Sequence, residues 1–459
     1  MNKYDVIIIG AGPAGIFAAF ELVEKNRNLK VLILEKGRDI EERKCPSKEE
    51  KASCYHCKPC SIVSGWGGAG AFSDGKLTLT TEFGGWLNEY LPKNKVYNLI
   101  EYMDRIYLRF GATEIVHGTD IKKIRSLQQK AATADLRLIP ARVKHLGTDK
   151  CFHILKGMRN YLAKRTEIRT STAVDKILVK EGKAVGVVTE DGIEYHADYI
   201  ICGPGRDGAE WFTEEASRLG LDMTSNPVDI GVRVEVPAVV MEEFTDIIYE
   251  SKLVFYTKLF DDRVRTFCMN PYGEVVMENN NGLITVNGHS YADKKTDNTN
   301  FALLVSKTFT KPFKQPISYG KYIATLANML GGGCLVQRLG DLLAGRRSTE
   351  ERIQRGLVEP TLKEATPGDL SLVFPYRHLK DILEMLQAMD KIAPGVYSRH
   401  TLLYGVEVKF YSSRPQLSQE LETQVKNLFA VGDGAGVTRG LAQASASGVL
   451  VAREILKRA

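Results

Sequence analysis

A doubly wound α/β fold with an inserted α+β domain is predicted by three observations. An apolar strand at the N-terminus runs into a glycine-rich turn and a helix, the C-terminus repeats that order, and the chain between them changes to alternating strands. The two ends, residues 1–228 and 400–459, are therefore expected to build one domain, and residues 229–399 a substrate or cap domain. A length of 459 residues, at roughly 150 per domain, suits two large units or three ordinary ones. With 44% hydrophobic and 26% charged residues, global disorder and a fibrous repeat are both excluded. Lys and Arg outnumber Asp and Glu by 62 to 56 without a long basic block, too thin an excess for a nucleic-acid partner.

The elements follow in order. Asp5–Gly10 (DVIIIG) is a continuous apolar run, as expected of a strand buried on both faces of a parallel sheet. Ala14–Glu24 carries helical spacing and Lys30–Leu34 (KVLIL) gives a second buried strand ending at Glu35, which completes a βαβ unit. Helices are expected near 96–110 and 152–164, and residues 170–205, with short EG and DG turns, read as a β-meander. From Asp229 onward IGVRVEVP, RTFCMN, EVVMENNNGLITVNGHS and FALLVSKTF alternate as strands. A helix is expected over 323–343, then a polar linker through Pro367, a helix over 379–391, and finally strand, glycine loop and helix. No stretch approaches the roughly 18 apolar residues of a membrane helix.

In GAGPAG the glycines have separate tasks. Gly10 permits the tight turn, Gly12 admits a pyrophosphate to the backbone, and Gly15 lets helix and strand pack closely. Pro13 and Ala14 open the helix whose N-terminus faces the phosphates. Glu35, with Lys36 beside it, ends the second strand where a carboxylate can accept ribose hydroxyls. This set predicts dinucleotide binding, and the C-terminal LFAVGDGAG selects FAD over NAD. There Asp433 is placed for a ribityl hydroxyl, Gly432 and its neighbours allow close approach, and a helix opening at Gly440, Leu441 and Ala442 offers its N-terminal amides. Only the longer cofactor requires both ends of the chain.

These residues resemble the two-dinucleotide-binding-domain flavoproteins, and more narrowly the FAD-dependent or NAD(FAD)-utilising dehydrogenases. The resemblance is carried by GAGPAG, CYHCKPC running into GGAGAFSDGKL, RTFCMNPYGEVV with LITVNGHS, LGGGCLVQRLGDL, YGVEVKFYSSRP and GDGAGVTRGLAQA, and it spans almost the whole chain. It implies a Rossmann-like FAD domain of the glutathione-reductase type and an oxidoreductase activity. Members often carry a further N-terminal segment, whereas this sequence starts at its first strand, so any function of that segment is expected to be absent. By resemblance Gly67, Gly68, Ala69, Gly70, Ser73, Asp74, Gly75 and Lys76 pass beside the isoalloxazine, and Gly203 and Gly205 bring backbone close to the cofactor.

The remaining candidates concern chemistry beyond cofactor binding. Cys54, Cys57 and Cys60 have the compact spacing of metal and iron–sulfur loops, with Cys45 able to complete four. An iron–sulfur cluster, zinc, redox-active thiols and unliganded thiols are all open at this point. Cys151, Cys202, Cys268 and Cys334 are isolated and expected in the core. His289, on a turn after a strand, Tyr404, Lys76 and Arg439 are the catalytic candidates, for proton transfer, charge stabilisation or orientation of a substrate anion. No second Gly-x-Gly-x-x-Gly follows a strand, so a reductant such as NAD(P)H is expected to visit transiently, or electrons to come from a protein donor. The expected activity is hydride or electron transfer through non-covalent FAD to or from a small molecule. A flavin monooxygenase and a redox-sensing or electron-transfer flavoprotein are the competitors. The absence of an export signal points to the cytoplasm.

Overall fold

Val6, Ile7 and Ile8 are fully buried because their strand, Lys3–Ile9, has a neighbour on each edge. Val31–Leu34 pairs with it in parallel on one side and Glu194–Cys202 on the other. The computed structural model describes every residue except 1–2, 51–56, 74, 225, 281, 291–294, 310–312 and 314–315. The sheet continues outward in parallel through Glu167–Arg169 and Leu428–Ala430. The strands Val174–Lys180, Lys183–Thr189 and Glu194–Cys202 form the antiparallel meander read from the sequence. The result is a Rossmann-like fold with a mixed sheet. Helix Pro13–Lys25 lies against helix Leu441–Arg458 so closely that a Cβ on Gly448 would collide with the Ala14 carbonyl. The two ends of the chain are thus packed backbone to backbone.

The chain divides into two units, one comprising 1–115, 144–226 and 411–459, the other 116–143 and 227–410. In the second, eight strands form one sheet whose long central members are Leu402–Lys409, Val228–Pro237, Asn298–Lys307 and Arg263–Asn270. Alternation divides the central strand by face. Val228, Ile230, Val232, Val234 and Val236 join a core with Phe301, Leu303 and Val305, closed by Ile382, Met385 and Met389 of helix Tyr376–Asp390. The alternate positions carry Asp229, Arg233 and Glu235, which are also buried.

Several expectations differ from what is observed. Residues 116–143, read with the nucleotide domain, belong to the second unit because Arg137–Ile139 pairs with Lys252–Tyr256. Residues 400–410 join it because Leu402–Lys409 pairs with the central strand. The helix expected over 323–343 is a helix Pro316–Gly331, a strand Leu335–Arg338 and a short helix Leu339–Leu343. Three consecutive glycines break it, with Gly332 at φ 66°. Asn287, Gly288 and His289 are not on a turn; they end the strand Leu283–His289, paired to Val276, Val275 and Glu274.

Candidate active site

In the first unit, four glycine-rich segments converge at the carboxyl ends of the parallel strands. Gly10 has a φ of 95°, and a Cβ there would strike the Gly203 carbonyl; a Cβ on Gly15 would strike the carbonyl of Gly10. Gly434 lies just as close to Gly205, Gly68 lies against Gly12, and Gly70 against Leu441 and Pro13. The amide of Gly67 donates to the Ala11 carbonyl at 2.8 Å. Gly12, like Gly205, differs: a Cβ on it would meet nothing within 4 Å among the described residues. That open space, bordered by a helix N-terminus, fits a pyrophosphate approaching the backbone.

The acid at the end of the second strand is buried and heavily engaged. Glu35 accepts the amides of Ala11 (2.8 Å), Gly37 (2.8 Å) and Gly65 (3.0 Å). A carboxylate offers about four acceptor positions, so one remains for a ribose hydroxyl. Its neighbour Lys36 is tied down by Asp207, with Nζ 2.7 Å from the carboxylate. Burial pushes the Asp207 carboxyl up, but hydrogen bonds from Lys36 and Ser64 outweigh it and hold it below the usual range. At the other end Asp433 accepts from the Thr438 hydroxyl at 2.6 Å and lies 3.4 Å from Arg206. Helix Leu441–Arg458 opens directly after Gly440, placing Leu441 and Ala442 in its first turn.

Arg43 had no signal in the sequence and organises this site. Its buried guanidinium donates to the carbonyls of Ser61, Ile62, Trp66 and Gly68 at 2.7–2.9 Å and lies over the Phe72 ring. Burial lowers its pKa to about 10, a loss that Glu35 and Cys60 partly offset. One side chain therefore fixes the backbone from which Gly67 to Ser73 depart. Ala69 lies within the 3₁₀ turn Gly68–Phe72, Ser73 donates to the Gly70 carbonyl, and Gly75 packs on Cys151. Asp74 lies outside the described residues.

The catalytic candidates fall in different surroundings. Lys76 begins the strand Lys76–Thr78 and is half-buried. Arg439 is clasped between the rings of Trp86 (3.7 Å) and Tyr411 (3.5 Å), with Arg414 also 5.5 Å from the indole and paired to Glu89. In the second unit His289 is half-buried at its strand end. Tyr404 is fully buried in a cluster with Val275, Val286 and Cys334, and its hydroxyl donates to Glu235 at 2.6 Å. Burial, then Glu235, pushes the phenol well above its ordinary range. Tyr404 is thus an interior hydrogen-bond donor. Of the cysteine set, Cys45 and Cys60 are half-buried free thiols, Cys57 is an exposed one, and Cys54 lies outside the described residues. Among the described residues no group of three or more His, Cys, Asp or Glu is arranged to hold a metal. Cys151, Cys202 and Cys334 are buried as expected, while Cys268 is half-exposed at a bulge.

Comparison with known proteins finds matches to both parts of the chain. Residues 8–40 match the NAD(P)-binding Rossmann-like domain, and residues 227–410 match the FAD-dependent protein, C-terminal domain-like family. An "Uncharacterized protein" of Clostridium beijerinckii is 26% identical over 491 aligned residues, spanning 99% of this chain and 81% of that one. The digeranylgeranylglycerophospholipid reductase of Methanosarcina mazei is 30% identical over 217 residues, 44% of this chain and 46% of that protein. Among solved structures, E. coli quinol fumarate reductase (13% identical, TM-score 0.43) and glycine oxidase from Geobacillus kaustophilus (13%, 0.42) align over the whole of this chain and over 71% and 95% of theirs. The two matches and the glycine-built site agree on a Rossmann-like dinucleotide-binding segment joined to the C-terminal domain of an FAD-dependent protein. No helix among the described residues is long and apolar enough to cross a membrane.

Proposed function

We propose that the first unit, of glutathione-reductase type, holds FAD along the glycine-lined ends of its parallel strands, and that the enzyme oxidises or reduces a small organic substrate. One observation carries this reading: four separated glycine segments meet around Gly12, whose side, like that of Gly205, is open among the described residues. FAD, when bound, supplies hydride or two-electron chemistry. The chain's own residues do the rest. The amides after Gly12 and those at Leu441 and Ala442 face the pyrophosphate, Glu35 keeps its last acceptor position for a ribose hydroxyl, and Asp433 takes a ribityl hydroxyl. Gly203 and Gly205 leave room for backbone approach. Lys76 supports negative charge at the ring's edge, and His289 is the proton-transfer candidate of the second unit. Arg439, clasped by two rings, holds the loop from Gly432 to Gly440 in place. NAD(P)H is the proposed transient reductant, and the free thiols of the described cysteines suit a reducing cytoplasm.

A second reading is electron relay through Cys45, Cys54, Cys57 and Cys60 carrying iron–sulfur or zinc, with a protein donor. It is supported by Arg43, which is electrostatically coupled to Cys60 and bonded to the glycine loop. The deciding experiment is the absorbance spectrum of anaerobically purified protein with iron, zinc and sulfide analysis, repeated with Cys54, Cys57 and Cys60 changed to Ser. Flavin bands alone support the first reading and make NAD(P)H the reductant to try. A Cys-dependent iron shoulder beside them supports the second, and the lack of any flavin overturns both.

A further inference from the structure

In the second unit, the strand Arg263–Asn270 slips its register against Asn298–Lys307 between Phe267 and Asn270. Cys268 sits in that bulge with φ 41°, in the region that favours glycine. Bulges of this kind re-aim side chains and recur beside functional sites. Phe267, the last residue in register before the bulge, is half-exposed, and three buried cations surround its ring. The Arg265 guanidinium lies 4.7 Å from the ring centre, the Lys252 ammonium 5.2 Å and the Lys409 ammonium 5.8 Å. A fourth cation, Arg233, holds the bulge by donating to the Cys268 carbonyl at 2.8 Å, and Asn270 donates to the same oxygen.

Burying four cations on one face of a sheet is costly, and nothing in the packing of the opposite, aliphatic face requires it. Of the carboxylates that accompany them, Glu407 and Asp229 are already engaged, and the buried Glu250 acts on Lys252. Glu407 is shared between Arg233 (2.8 Å) and Lys409 (3.1 Å), and Asp229 takes both Arg265 and the Ser306 hydroxyl. Glu278 reaches only 4.0 Å from Lys409. Lys252 reports the balance of these charges. Burial and then Arg265, with a smaller contribution from Arg263, lower its pKa to about 7, against the opposing pull of Glu250 and Cys268. The Asn300 side-chain amide, whose oxygen accepts from Arg233, has no acceptor among the described residues.

We propose that the Phe267–Cys268 bulge is an anion subsite that recognises a carboxylate on the substrate, the ring of cations supplying the charge and Phe267 the apolar wall. The proposal rests on the oxidoreductase reading and narrows its substrate to an organic acid. Its test is calorimetric titration of FAD-loaded protein with succinate, with uncharged succinamide as control. Succinate is expected to bind and succinamide not. Lys252→Met, and the pair Arg265→Gln with Asp229→Asn, which strands no charge, are each expected to weaken succinate at least tenfold with flavin absorbance unchanged. Because Lys252 loses its proton above neutrality, wild-type affinity is expected to fall between pH 6 and pH 9, and the Lys252→Met variant to lose that dependence. Equal binding of both compounds, binding of neither, or variants that match wild type overturn the subsite while leaving FAD binding intact. Protein without flavin overturns the oxidoreductase reading, and the same titration still scores the subsite.

Discussion

The glycine loops of the first unit and the polar sheet face of the second are built from opposite materials. The loops are backbone: Gly10, Gly15, Gly434 and Gly448 matter because no side chain fits where they stand. The sheet face is side chain: Arg233, Glu407, Lys252 and Arg265 matter because their charges are buried together. A backbone site is intolerant of addition, whereas a charged site is intolerant of unbalanced removal. The largest expected effects therefore come from adding atoms to the first, and the next from deleting single charges in the second.

Gly10 and Gly12 test the first half of that contrast within one loop. Gly10→Val places a branched side chain at positive φ and against the Gly203 carbonyl, so it is expected to prevent the first unit from folding. At Gly12 an added Cβ meets no described atom within 4 Å, so the Gly12→Val protein is expected to fold and melt cooperatively, yet to purify without flavin because the pyrophosphate space is filled. The flavin-to-protein absorbance ratio and a thermal melt separate the two. A Gly12→Val protein with full flavin would remove the phosphate loop from the site.

The same contrast explains what could be read from the sequence. A backbone-built site leaves a short-range signature, because glycines that must touch a cofactor, a helix or another loop recur at fixed spacing within one turn. The close-packed turn at Gly10 and Gly15 was legible for that reason, as were the meander and the central strands with their alternating faces. Arg43 was not, since its four carbonyl partners lie eighteen to twenty-five residues away and nothing local distinguishes it from a surface arginine. The strand Glu167–Arg169 was missed because three residues carry no period. The cation ring around Phe267 draws side chains from three strands of one sheet, two of them not adjacent, which no single segment encodes. His289 was legible as a residue but misplaced in structure, because its asparagine and glycine neighbours imitate a turn.

Charge removal is the second perturbation. Arg233 and Glu407 are both fully buried and meet in a two-point contact, Nε to Oε2 at 2.8 Å and Nη2 to Oε1 at 3.0 Å. Arg233→Met strands Glu407 with Lys409 as its remaining partner, and is expected to destabilise the protein by about 3–5 kcal/mol. Changing Arg233 and Glu407 together to Met should recover most of that loss, since both desolvation costs disappear with the pair. Denaturant unfolding of the two variants checks this, and a double variant no more stable than the single one would mean that the arginine serves the bulge at Cys268 more than it serves Glu407.

The smallest expected effect decides between two roles for Tyr404. As a group that exchanges protons with substrate, its loss would slow turnover by orders of magnitude while stability barely changed. Its position argues otherwise: the phenol is buried in an apolar cluster, burial and Glu235 hold its proton on, and its hydroxyl serves a carboxylate that also accepts from Thr361 and Asn298. Burial raises the Glu235 pKa, with those donors opposing it. Tyr404→Phe removes one donor and leaves the others, so a cost of about 1–2 kcal/mol is expected. Because that lost donor favoured the ionised form, Glu235 should hold its proton to a still higher pH in the variant. Its carboxyl then binds more protons folded than unfolded across the window above the ordinary carboxylate range. Stability is therefore expected to decline more steeply there as pH rises than in wild type. Unfolding curves at several pH values, set beside the rate of flavin reduction, distinguish the cases: a steeper decline with an unchanged rate is the signature of an interior donor, and a collapsed rate with unchanged stability would return Tyr404 to the chemistry.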